Sequence, residues 1–572
     1  MITFERLSSL QGVVPLNLLP AALPDVLAYP DNAATLPTLY RRNADRDLLL
    51  QPLPDLFGLI DKTDAFDTDM GVFLGPRVPS GTERVDTPLP FPVERFSPGR
   101  SRPTVVGIVD AGIAFWNPAF RHGRDRGKSR FVTMGALTAG GGGEVASTVL
   151  DAAAITSLLA QDDHLIRARL AQVFPDSVYG DKAQVPLFQP EGLAHGTAMA
   201  DLILTNAGTR AELHGLELPV TALRDLTGGQ MSAVMDAALS ALVAQANATP
   251  ALKDREFNMV VLMAFGFTGG PQDGSAEILG PIEATLAALK SKGISVTLVL
   301  PVGNQLQDRL HAVLEPWQRV GWRHLPDDHS ANTVEIIQQS GAAPLHLAAP
   351  DGSGSTLPAE TGLYRVTFRG AGIGAVWVSA LKDGRLRSRV TLAPTTPSAI
   401  SATPSPFGRW TLSSGESYAQ LWILRDETGF DASRADTARA SWFEDDAYRF
   451  TDDLGYPLRQ DPLQHPSVIR RSGAASVLAT SASPHVVVVS AASGTTGQRT
   501  PATSFYASQK PAHVTSFASV DLAGQGRHPR PPEELPLGPF GGRAVLGNGG
   551  PKRFRAAGTS LAAALEAGRR TP

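Results

Sequence analysis

Four polar residues stand where an apolar run gives way to a loop or a helix begins, and their types are those of acyl-transfer chemistry. Asp110 closes the run in VVGIVDAGI, at the carboxyl end of a buried strand, where the ligands and catalytic groups of open α/β sheets gather. His195 opens the helical stretch HGTAMADLIL; imidazole titrates nearest neutrality and suits a general base. Ser560 stands in GTSLAAALEAG at the start of a helix, where the partial positive charge of the N-terminus favours an oxyanion. Asn304 ends VTLVLPVGN, and its amide can donate to that oxyanion across a cleft.

Each residue also has a plainer reading. An Asp followed by a small residue and Gly is ordinary turn chemistry. The histidine can cap a helix or pack in the core, the asparagine can serve a turn, and serine before a helix is most often an N-cap. Chain order adds information. Chymotrypsin-like enzymes run His, Asp, Ser and α/β-hydrolases run Ser, Asp, His, whereas subtilisin runs Asp, His, Ser, as here.

The elements that must hold these residues have their own signatures. Val105–Val109, Met259–Phe265, Val296–Val302 and Val486–Val489 are almost continuously apolar, as central strands of a parallel sheet covered on both faces are. Helix-like Ser232–Gln245 and Ala276–Lys290 lie between them, which predicts an α/β fold with right-handed crossovers. From about 330 to 430 the rhythm becomes two: Tyr364, Val366 and Phe368; Val376 and Val378; Trp410 and Leu412; Leu421 and Ile423. That alternation predicts an antiparallel sandwich inserted into the α/β body. Its aromatics, Tyr364, Trp377, Trp410 and Trp422, read as core and not as sugar platforms. No internal repeat is evident, and Gly140–Gly143 reads as a loop.

Bulk properties narrow the partners. The chain has 572 residues, too many for one compact core. A net charge of −4 points to neither nucleic acid nor an anionic membrane. There is no cysteine, hence no disulfide, thiolate metal site or cysteine nucleophile. The N-terminus lacks a basic n-region, and Pro15, Pro20 and Pro24 interrupt it, so a signal peptide is not expected. No window is long and apolar enough to span a membrane, and the default expectation is cytoplasmic.

On these motifs the chain resembles the subtilase family of serine proteases. VVGIVDAGI resembles the family's Asp motif, HGTAMA its His motif, PVGN its oxyanion-Asn motif and GTSLAAA its Ser motif. MVVLMAFGF resembles the strand lining the substrate cleft, and PHVVVVSAASG with ATSFYAS the late core strands. The resemblance covers roughly 101–325 and 465–572. It implies a subtilisin-like parallel sheet with helices on both faces, plus the inserted antiparallel β-sandwich. The implied layout is an N-terminal arm or prodomain-like segment (1–100) with a Pro-rich linker at Thr87–Pro103. The catalytic domain follows as 101–325 and 465–572, divided by the sandwich and its return linker at 326–464.

The resemblance also implies roles. Asp110, His195 and Ser560 would form the triad, Asn304 would serve the oxyanion, and Ala264, Phe265 and Gly266 would bind substrate. The substrate would be a peptide or protein, with one dedicated intracellular target as the narrower expectation, cleaved in a processing or regulatory role. The alternative is a weak or inactive pseudoprotease that binds partner proteins through the same cleft. No cofactor or metal is required. Family members often bind calcium, but no acidic loop here has the spacing of a ligand set. Four departures stand out: Ala111 after the Asp, Ala564 where proline is usual, Ala-Phe-Gly in the cleft strand, and only twelve residues after Ser560.

Overall fold

The computed structural model describes residues 1–6, 26–27, 38–42, 48–52, 72–73, 102–122, 127–139, 145–180, 195–207, 211–219, 229–266, 268–276, 278–381, 383–396, 403–424, 439–462, 464–493, 502–503, 507–508, 514–521, 543–546, 553–556 and 558–571. The Gly140–Gly143 loop, most of the 1–100 segment and the linker up to Ser101 lie outside them.

The apolar runs pair side by side in one nine-stranded sheet. Its order is Ala502–Thr503, Val486–Ser493, Ile294–Pro301, Phe257–Met263, Thr104–Asp110, Leu213–Glu217, Phe131–Ala139, Val145–Leu150, and Val514–Asp521 also pairs with Val486–Ser493. The central pairings are parallel; only Ala502–Thr503 and Val145–Leu150 run antiparallel to their neighbours.

Continuous hydrophobicity follows from burial on both faces. Val106, Ile108, Val260, Leu262, Val487 and Val489 point to one side, where helices His195–Asn206 and Thr559–Arg569 pack. Val105, Val109, Met259, Val261, Val296 and Leu298 point to the other, under Gly229–Asn247 and Leu279–Ser291. Each such side chain contributes about 1.5–3 kcal/mol by leaving water.

The first pair of helices sits unusually close. A Cβ on Gly568 would press on the Ile203 carbonyl and lie 3.0 Å from the Asn206 Cβ, and the Asn206 amide donates to the Leu565 carbonyl at 3.0 Å. The run of small residues after Ser560 therefore brings the serine helix against the histidine helix. Among the described residues no helix is long and apolar enough to cross a membrane.

The period-two segments form two antiparallel sheets. One has the order Ile2–Arg6, Gly362–Phe368, Ala371–Ala380, Leu386–Leu392, Asn332–Gln338, Ala419–Leu424, His311–Leu314; the other runs Gly354–Thr356, His346–Ala348, Gly408–Ser413, Arg319–His324, Trp442–Glu444. Tyr364, Val366, Val376, Val378, Trp410, Leu412, Leu421 and Ile423 meet in one core between them.

Two details differ from expectation. The sandwich already takes strands from His311–Leu314 and Arg319–His324, so the expected boundary at 325/326 falls inside it. Its edge is completed by Ile2–Arg6, whose Ile2 is buried in the sandwich core. Both partners are remote in sequence and carry too few residues to show a period.

The seven-stranded sheet is buried on its second face too, against the α/β body. Trp422 lies over Gly270, Leu424 joins the body's core, and Glu335 accepts the Gly270 N–H at 2.9 Å. Glu335 also pairs with Arg389 at 3.1 Å, with Arg387 at 3.8 Å, and all three are buried.

Candidate active site

Asp110 is the last residue of its strand, and Ala111–Ala114 carries the chain towards the histidine helix. The Gly196 N–H donates to the Ala111 carbonyl at 2.9 Å and the Thr197 N–H to the Gly112 carbonyl at 3.2 Å. The Thr197 hydroxyl donates to the Gly112 carbonyl and accepts the Ala114 N–H. A Cβ at position 196 would lie 2.6 Å from Ile113 Cγ1 and 2.9 Å from the Ala111 oxygen, so glycine is what permits this approach.

The outcome is a paired acid and base. His195 Nδ1 lies 2.8 Å from Asp110 Oδ1 and 2.9 Å from Oδ2. The Asp110 side chain is 5% exposed and the His195 side chain 35%, so the carboxylate is enclosed while the ring reaches solvent. The Ala111 N–H donates to Asp110 Oδ1 at 2.7 Å. Burial pulls the imidazole pKa down, but the charge and hydrogen bond of Asp110 outweigh it, and the pKa is raised. With Nδ1–H engaged by Asp110, Nε2 is the nitrogen left to exchange a proton.

Asn304 and Ser560 meet from opposite ends of the chain. Asn304 Oδ1 accepts the Thr559 N–H at 2.9 Å and the Thr559 hydroxyl at 3.0 Å, while the Gly303 N–H donates to that hydroxyl at 3.3 Å. Two donors identify the oxygen of the amide, which leaves its NH₂ end as a donor at an exposed position. Ser560 is the second residue of helix Thr559–Arg569 and is half-buried. Its hydroxyl donates to the Ala264 carbonyl at 2.8 Å and not to the histidine ring.

Thus Asp110 pairs with His195, and Asn304 meets the turn that carries Ser560. Of the three residues expected to bind substrate, Ala264 is buried and touches Ser560 through its carbonyl; Phe265 is half-buried against the core and Gly266 is exposed beside Ser476. The motif reading assigned no role to Thr559 or Glu217. Thr559 had a visible signal, a hydroxyl directly before the serine. Glu217 pairs in register with Asp110 across the parallel ladder, and its only sequence signal is an acid ending a buried strand, LHGLE. Among the described residues no group of three or more His, Cys, Asp or Glu could hold a metal ion.

The whole chain can be compared with solved structures. It superimposes on the Clostridium perfringens CspB protease with a TM-score of 0.52, covering 82% of each chain at 14% identity. The fold is similar to that of a protease. At that identity the likeness is one of architecture, a mixed α/β body with a parallel sheet and additional antiparallel sheets. No protein-family model matches the sequence, and no curated protein sequence matches it.

Proposed function

We propose that the protein is a serine endopeptidase of the subtilase type, cleaving peptide bonds of protein substrates through an acyl-enzyme. The observation that carries this reading is the buried Asp110 carboxylate on His195 Nδ1, on the same side of the sheet as the helix Thr559–Arg569 that carries Ser560. In the proposed reaction Asp110 holds the ring and stabilises the imidazolium. His195 Nε2 takes the Ser560 proton, Oγ attacks the peptide carbonyl, and the Asn304 NH₂ with first-turn N–H groups holds the oxyanion. The same proton then passes to the leaving amine, and water releases the acyl group. The likeness in fold to a protease is a second support. Ala264, Phe265 and Gly266 are the proposed substrate-binding strand.

The bond from Ser560 to the Ala264 carbonyl favours a second reading, a cleft that binds peptides without turnover. In the first reading a χ1 rotation redirects the hydroxyl to His195, as catalytic contacts often tighten only with substrate. Labelling by a serine-directed fluorophosphonate decides between them. Stoichiometric labelling that is lost in Ser560→Ala, with a fall of about 10⁶ in kcat, supports the peptidase. A folded parent that is never labelled supports the binding protein.

A further inference from the structure

Glu217 is completely buried at the end of the strand beside Asp110, yet the proposed mechanism gives it no step. Its two carboxyl oxygens accept consecutive backbone donors: the Gly112 N–H at 2.9 Å and the Ile113 N–H at 2.6 Å. Those donors belong to the loop that leaves Asp110. The carbonyls of the same loop, Ala111 and Gly112, receive the N–H groups of Gly196 and Thr197 at the start of the histidine helix. One side chain therefore grips the N–H side of a loop whose C=O side grips the helix of His195.

We propose that Glu217 is a positioning residue that holds the Ala111–Ile113 loop, and through it sets the geometry and proton affinity of the Asp110–His195 pair. This deepens the peptidase reading and rests on it for its catalytic consequence, but the coupling itself is a property of the acid–base pair. A carboxyl group suits the task because it offers two acceptor oxygens to two adjacent donors. Glutamine offers one, and turns an NH₂ towards the other N–H.

Glu217 also carries a charge that the pair can feel. Burial pushes its pKa up to about 8, against the pull of the Ile113 and Gly112 N–H groups and with a further push from Asp110. Among the described residues the other titratable group that feels Glu217 is Tyr179, whose phenol is raised by burial and then by Glu217, with Arg167 lowering it and Asp163 raising it. Ionisation of Glu217 places a second negative charge beside Asp110 and favours the imidazolium of His195.

The test reads the His195 ring by NMR in the intact protein, beside turnover of a peptide ester. In the parent, the His195 resonances should show their main titration and then a smaller step near pH 8, where Glu217 ionises. In Glu217→Gln that second step should vanish. The main titration should move down by roughly half a unit to one unit as Asp110 loses its register, and kcat should fall roughly 10- to 100-fold with KM nearly unchanged. Glu217→Asp should restore the second step and part of kcat. A folded Glu217→Gln with parental His195 titration overturns the proposal, as does a parent that shows no second step, a result that needs no variant. If the titrations shift but Ser560 is never acylated in the parent, the coupling stands and the peptidase reading falls. Parental titrations with full turnover leave the reverse.

Discussion

The α/β body and the sandwich use buried charge in opposite ways. In the body, the central strands are largely apolar on both faces, with the Thr133–His214 pair a buried exception, and polar groups gather at the carboxyl ends: the side chains of Asp110, Glu217 and Asn304 and the Ala264 carbonyl. In the seven-stranded sheet, Glu335, Arg387 and Arg389 sit mid-strand on one face, buried against the body, with Trp377 against both guanidiniums at 4.7 and 4.9 Å. A polar group at a strand end can act on the site, directly as Asp110 does on His195 or through its loop as Glu217 does. A charge enclosed mid-strand can only satisfy its neighbours, and here it joins the sandwich to the segment that follows strand Phe257–Met263. Position along a strand, not charge as such, separates chemistry from docking.

The comparison is most severely tested by removing one partner. Replacing residues 330–430 with a short Gly/Ser linker removes Leu424 from the body's core and Trp422 from over Gly270, and so uncovers the body there. The expected outcome is loss of cooperative unfolding in a thermal melt followed by circular dichroism. A folded deletion variant that still hydrolyses a small ester would make the sandwich a detachable module.

Glu335→Ala removes the acceptor of the Gly270 N–H and the carboxylate opposite Arg389. Breaking a buried pair in this way costs roughly 3–5 kcal/mol, read as a lower urea midpoint at unchanged m-value. Asn304→Leu should act chiefly on turnover. It should lower the urea midpoint less than Glu335→Ala does, through the acceptor that Thr559 loses, while lowering kcat by about 10²–10³ with little change in KM. If the two variants exchange phenotypes, the distinction between strand-end and mid-strand charge is wrong. Thr559→Val is a finer probe: the hydroxyl that orients Asn304 is lost, and kcat should drop roughly tenfold or less.

The smallest effect is in pH. His195 must be neutral to act as base, and its pKa is raised by Asp110, so the acidic limb of kcat/KM should centre above about 6.5. The pair's contribution to stability is complete below about pH 6.5 and is lost as pH rises through the raised folded value. Asp110→Asn should lower the limb and flatten that part of the stability profile. An unchanged limb would detach Asp110 from the base.

Much of this was legible in sequence because the signals are short in range. The run VVGIV dictates a strand buried on both faces, and its end delivers Asp110 to the sheet's carboxyl edge. Alternation through Tyr364, Val366, Trp410 and Leu412 dictates a sandwich core. The same alternation misses the second face, because Glu335, Arg387 and Arg389 look solvated until something covers them. Ile2–Arg6 is five residues long, too short to announce which sheet it joins.

By itself, the sequence marked the central buried strands, the helices between them, the alternating strands of the sandwich and four polar residues at element ends, since helix starts and strand ends depend on neighbours within a few positions. Only the tertiary structure decided that Glu217 stands beside Asp110, that Thr559 holds Asn304 from 255 residues away, and that the sandwich's charged face is interior. Parallel pairing, helix contact and sheet docking join segments through space, and whether a polar side chain is exposed, paired or enclosed is set by what those contacts bring against it.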